Sequence, residues 1–179
     1  MIIDKYKTIF IHIPKTAGTS ISAYFNEHQT RLRMQPGKHD TIYHIKQRFF
    51  NIYNSYNKFT IVRNPYDRMV SWYSFLKGNS LQNVVSFNEW IKDHSKLWHI
   101  DDPKYFAGPQ HVWIDETVSI LKYENLKEDL NNFFNKEIDL PIINKSKRKD
   151  YLSYYSEESL DIIYNKHKED FEKFNYKKL

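Results

Sequence analysis

The 179-residue sequence contains no cysteine. That excludes a disulfide scaffold, a thiolate zinc site, an iron–sulfur cluster and a thiol nucleophile. It leaves the redox compartment open, because a cysteine-free chain tolerates any. Glycine is scarce, at four residues, and no run of like charge extends far, which argues against a low-complexity tail. Long apolar runs are missing as well. The run Ile9 to Ile13 is broken by His12 and followed by Lys15, too short for a signal peptide. Nothing approaches the roughly 20 apolar residues of a membrane helix. The expectation is a soluble, cytoplasmic protein without a membrane span. The pattern G-x-x-x-x-G-K-[ST] is also absent, which disfavours an ordinary ATPase or kinase.

What is present suffices for one domain over residues 1–179: 40% hydrophobic and 17% aromatic residues supply a core. The net charge of +5 suits an anionic partner, whether nucleotide, nucleic acid, polyanionic sugar or membrane surface. Lys and Arg are interleaved with 22 acids rather than gathered, which argues against a nucleic-acid reader.

Thr8 to Ile13 reads as a buried strand ended by Pro14, and Thr19 to Glu27 as a helix opened by hydroxyl residues. His39 to Phe50 has amphipathic spacing. Phe59 to Val62 is a second buried strand, followed by Asn64-Pro65 as cap and first helical residue; that helix runs to about Lys77 and stops at Gly78. Ser86-Phe-Asn-Glu89 is a capping box for a helix through Asp93. Residues 95–112 read as an irregular loop, Thr117 to Tyr123 as a third strand and Glu124 to Phe134 as a helix. Asp139 to Lys149 is a basic loop, and Ser156 to Phe174 one long amphipathic helix. Two strand–loop–helix units and a later strand imply an α/β layered domain with a parallel sheet, whose ligand sits at the carboxyl ends of the strands.

Two motifs fall at such ends. In Pro14-Lys15-Thr16-Ala17-Gly18-Thr19-Ser20, small residues admit a close ligand, the helix start favours an anion, and Lys15, Thr16, Thr19 and Ser20 add donors. The pattern fits a phosphate- or sulfate-binding loop; it also fits an ordinary capped turn. In Arg63-Asn64-Pro65-Tyr66-Asp67-Arg68-Met69-Val70-Ser71, a guanidinium at the strand end and a helical hydroxyl can converge on one phosphate. Alternatively Arg63 pairs with Asp67, and Ser71 bonds back to its own helix. Arg68 reads as a structural residue or an exposed ion-pair residue.

Together, in this order and separation, Ile9-Phe-Ile-His-Ile-Pro-Lys-Thr-Ala-Gly-Thr-Ser20 and Phe59-Thr-Ile-Val-Arg-Asn-Pro-Tyr-Asp-Arg-Met-Val-Ser-Trp-Tyr73 resemble the sulfotransferases that use 3'-phosphoadenosine 5'-phosphosulfate (PAPS). The likeness is to the carbohydrate branch that includes heparan sulfate 2-O-sulfotransferases and small bacterial members. Shorter likenesses at Lys38 to Thr41, Pro109 to His111, Lys122 to Leu126, Asn144 to Ser146 and Asp170 to Tyr176 extend it over nearly the whole chain. The resemblance implies a P-loop-NTPase-like three-layer fold, a short central parallel sheet flanked by helices. It implies sulfuryl transfer from PAPS to a hydroxyl, with adenosine 3',5'-bisphosphate (PAP) as product and no metal. Lys15, Thr16, Ala17, Gly18, Thr19 and Ser20 would hold the 5'-phosphosulfate, with Lys15 also neutralising the bridging oxygen as the S–O bond breaks. Arg63 and Ser71 would hold the 3'-phosphate, completed by Ser146, Lys147 and Lys149; the run Lys145 to Lys149 fits a solvated charge patch equally. Tyr123 would line the nucleoside pocket or sit in the core.

His39 is the expected base. It stands after Gly37-Lys38 at a loop-to-helix junction, and the family carries a histidine at the matching Lys-His-x-Thr position; the alternative is a helix-start residue bonding backbone. His12 reads as a core histidine that could brace Lys15. His44, five residues from His39, is poorly spaced for a metal pair. His111 with Gln110 is placed to touch the acceptor, while His28, His94, His99 and His167 read as surface or packing residues. Arg31, Arg33, Lys38, Trp98, Tyr105 and Trp113 would rim a cleft for an acidic sugar or form a hydrophobic cap. The amino-terminal anchor of Golgi members is not read here, so the acceptor is expected to be an intracellular glycan, a lipid-linked sugar or a small hydroxylated metabolite. Competing functions are a P-loop-like phosphotransferase, for which Asp4 and Asp67 are poorly placed as Mg²⁺ ligands, and a non-catalytic nucleotide-binding module.

Overall fold

The apolar runs form strands that sit side by side. The structure, a computed structural model, describes residues 1–27, 32–33, 39–79, 85–94, 107–141, 143 and 148–179. Five strands, β1 (Ile2–Ile3), β2 (Thr8–Ile11), β3 (Leu32–Arg33), β4 (Asn57–Val62) and β5 (Ser119–Lys122), make one sheet in the order β3-β1-β2-β4-β5. β2, β4 and β5 run parallel, with Ile11 opposite Thr60 and Thr60 opposite Ile120. All of β2 and the last four residues of β4 are buried, so both sheet faces are covered there. That explains why these strands read as unbroken apolar runs without alternation. The central strands are parallel as expected, and β1 and β3 add an antiparallel edge that the apolar runs did not predict.

Among the described residues the α-helices are α1 (Gly18–Glu27), α2 (Ile42–Arg48), α3 (Phe50–Ser55), α4 (Pro65–Asn79), α5 (Phe87–His94), α6 (Leu126–Phe134), α7 (Glu157–Lys166) and α8 (Lys168–Lys173). Asn64 caps α4, its side chain accepting from the Tyr66 N–H (2.9 Å), and Pro65 follows as the first helical residue. The Ser86–Glu89 capping box opens α5 as the spacing predicts. Several helix boundaries differ. Gly78 does not stop α4, which continues to Asn79: a methyl there would meet open space, and a glycine costs only about 1 kcal/mol. The helix expected over residues 39–50 starts at Ile42, because Thr41 caps it, and breaks at Phe49. The long terminal helix breaks at His167 into α7 and α8.

The described chain forms two compact units, each from two segments. Residues 1–62 with 112–144 carry the sheet, and Phe10, Ile21, Phe25, Phe59, Leu121 and Leu130 pack α1 and α6 onto it. Phe10 stacks on Phe59 at 4.9 Å, a contact of about 0.5–1.5 kcal/mol beyond its buried area. The unit of residues 63–111 with 145–179 holds α4, α5, α7 and α8, joined by Tyr66, Met69, Val70, Trp90, Ile163 and Phe171.

Candidate functional site

The turn after β2 is held by its own backbone. The Thr16 hydroxyl is buried and donates to the Ile13 carbonyl (2.7 Å), closing the turn. Lys15 and Ala17 both take left-handed backbone, with φ of 69° and 70°. Two such residues in one turn are uncommon, each costing on the order of 1–2 kcal/mol, and left-handed residues are an ingredient of the backbone nests that bind anions. The first bond of α1 runs from the Ile21 N–H to the Ala17 carbonyl (3.2 Å); the N–H groups of Gly18 to Ser20 have no acceptor within the helix. Thr19 is exposed, and Ser20, nearly buried, accepts from the Ile143 N–H (3.4 Å).

Gly18 has a different reason from the one its sequence context suggests. A Cβ there would lie 1.8 Å from Nε2 of His12, so the imidazole occupies that space. His12 is buried and packs its ring 4.4 Å from that of His39. The Nδ1–H of His39 donates to the His12 carbonyl (3.0 Å), since a carbonyl oxygen only accepts. In the neutral form of the ring the lone pair then lies on Nε2. Trp113, read as cleft rim or hydrophobic cap, is buried as a cap residue would be and sets its ring at 85° to that of His39, 6.4 Å away. His44 serves the cap of α2: its Nδ1 accepts from the Thr41 N–H (3.3 Å).

The second motif is a cluster of charge. Arg63, 6% exposed, donates Nε–H and Nη2–H to the same Asp67 oxygen (2.7 Å each). Arg148 donates to the other oxygen. One carboxylate between two guanidiniums leaves this trio with one positive charge, in surroundings that screen it weakly. Ser71 is half-buried on α4 and stands four residues beyond Asp67, hence on the same helical face. Arg148, Lys149, Ser153 and Tyr154 line an open cleft of about 660 Å³.

A buried network fastens Arg63 from behind. The Gln110 side chain accepts from the Arg63 N–H (2.9 Å) and donates to the Arg63 carbonyl (2.8 Å). The Gln110 N–H lies 2.9 and 2.7 Å from the two Asp170 oxygens, and the His111 N–H and Nδ1 reach Asp170 at 2.8 and 2.9 Å. Burial alone would raise the Asp170 pKa, but hydrogen bonds from His111, His167 and the Gln110 N–H outweigh it and hold the carboxyl well below its usual range. Burial lowers His167 despite Asp170 beside it. Arg68 is fully buried, brought down to about 10 by desolvation, and donates to the Gly108 carbonyl (2.8 Å).

Within one unit, then, the loop of residues 14–20 goes with His12, His39 and Trp113; within the other, Arg63 goes with Asp67, Ser71, Arg148 and Gln110. Tyr123 is half-buried against the sheet-bearing core. His28, Arg31, Lys38, Trp98, His99, Tyr105, Ser146 and Lys147 lie outside the described residues. Arg148 stands between two residues that the sequence singles out, and Asp170 joins nearby His167 to Gln110 and His111, 60 and 59 residues away. The basic run was the available signal for Arg148; Asp170 had none beyond its place in a short likeness. A family model described as "Sulfotransferase family" matches residues 1–177. No curated protein and no solved structure matches the chain.

Proposed function

As the chain belongs to the sulfotransferase family, we propose that it is one PAPS-dependent, P-loop-like, cytoplasmic sulfotransferase domain acting on a carbohydrate hydroxyl. In this reading Lys15 to Ser20 hold the 5'-phosphosulfate, and Arg63, Ser71 and Lys149, with Ser146 and Lys147, hold the 3'-phosphate. Tyr123 lies against the nucleoside. The acceptor oxygen attacks sulfur in line with the leaving phosphate. A new S–O bond forms, the old one breaks, Nε2 of His39 takes the hydroxyl proton, and PAP leaves. Lys15 and the nest N–H groups stabilise the negative charge that grows on the leaving oxygen.

The observation that carries the reading is the left-handed backbone at Lys15 and Ala17 just ahead of α1. An ordinary capped turn has no use for two strained residues, whereas an anion cradle needs the N–H groups they expose. No helix among the described residues is long and apolar enough to cross a membrane.

The test is transfer of label from PAPS to a panel of glycans, lipid-linked sugars and small alcohols, with and without magnesium. Labelled sulfate on a hydroxyl acceptor without magnesium is expected. No transfer to any acceptor, or magnesium-dependent transfer from ATP instead, contradicts the reading. His39→Ala should lower kcat by about 10²–10⁴-fold with little change in PAP affinity; a collapse of PAP affinity would show that His39 only supports the fold.

A further inference from the structure

Arg63 stands one residue past the end of β4, where its own N–H and C=O need new partners. Both are met by a single side-chain amide, that of Gln110, 47 residues away and fully buried. The amide takes the place of a neighbouring strand, accepting from one peptide group and donating to the next. The segment carrying it is itself pinned at two points: Arg68 holds the Gly108 carbonyl, and Asp170, fully buried, accepts from the N–H groups of Gln110 and His111. Asp67 then fixes the plane of the Arg63 guanidinium through two N–H groups. The backbone of this arginine is thus held by buried amide bonds and its guanidinium by charge-assisted ones.

We propose that Gln110 and Asp170 are positioning residues for Arg63, which hold its guanidinium in register with a phosphate and thereby set the preference for a nucleotide bearing a 3'-phosphate. The inference rests on the reading of Arg63 as the 3'-phosphate ligand. A bidentate fork tolerates little displacement, so freeing the backbone of Arg63 should act on that phosphate and leave the rest of the nucleotide alone.

The experiment is calorimetry of the full chain with PAP and with adenosine 5'-monophosphate, which lacks the 3'-phosphate. Gln110→Met should weaken PAP binding about tenfold or more and the monophosphate less than about threefold. Should that variant fail to fold, Gln110→Glu allows the same comparison, because it keeps an acceptor for the Arg63 N–H while setting a carboxylate oxygen against the Arg63 carbonyl in place of the donor. Equal weakening of both nucleotides assigns Gln110 a merely structural role and overturns the proposal, as does an unchanged preference. An unmodified chain that binds both alike, or a preference that survives Arg63→Ala, removes the reading of Arg63 on which the proposal stands.

Discussion

Residues 14–20 and 63–71 both follow a parallel strand and both open a helix, yet they are built differently. The first is made of backbone. Its turn is closed by one hydroxyl, Thr16, and shaped by the left-handed residues Lys15 and Ala17. The second is made of side-chain charge, with Arg63, Asp67 and Arg148 in contact and Gln110 and Asp170 behind them. The difference teaches what each must resist. A backbone nest carries partial charges and needs only conformation. A buried guanidinium must be compensated and held, and that takes partners from distant segments.

The comparison breaks first at the charge each region contributes to chemistry. Lys15→Ala should lower turnover by about 10²–10³-fold while the melting temperature stays near that of the parent; unchanged turnover would remove the first loop from the site. Asp67→Asn acts the other way, on stability. It leaves two largely buried guanidiniums without their carboxylate, and the urea midpoint should report a loss of about 3 kcal/mol. A loss well under 1 kcal/mol would mean that the trio is solvated and not braced.

Gly18→Ala tests whether the first region is as local as it looks. The new methyl would fall 1.8 Å from Nε2 of His12, and the strain should cost about 1–3 kcal/mol. His12→Ala combined with it should recover part of that loss by emptying the space. If the double variant is no more stable than Gly18→Ala, the imidazole is not what the glycine accommodates.

The second region should also show in acid. His167 is buried and desolvation lowers its pKa from the ordinary 6.5, so the unfolded chain takes up the proton first as the pH drops past 6.5, and stability falls from there until the folded ring protonates. Asp170, held below 3.8, contributes stability that is present above 3.8 and lost as the pH falls through its lower folded value. Melting curves across pH should therefore decline in two stages, and His167→Gln should flatten the upper one. An upper stage that persists in His167→Gln would assign it to other groups.

Local signals were legible. Buried strands show as unbroken apolar runs, Asn64-Pro65 and Ser86–Glu89 mark helix starts, and the pairing of Arg63 with Asp67 follows from spacing of four. β1 and β3 were not, because two residues carry no periodicity. The break at His167 was hidden because α7 and α8 keep one apolar pattern, Ile163 and Phe171 packing into the same core. Gln110 looked like a residue that touches an acceptor, and its true partners, Arg63 and Asp170, lie far from it in sequence. Contacts between distant segments leave no spacing to read.

Calorimetric titration with PAP tests the central claim most directly, comparing the unmodified chain with Lys15→Ala and Arg63→Ala. Saturable one-to-one binding that either substitution weakens at least tenfold, roughly the strength of one charge-assisted contact, is the predicted result. Absence of heat with the unmodified chain, or affinity indifferent to both changes, contradicts it.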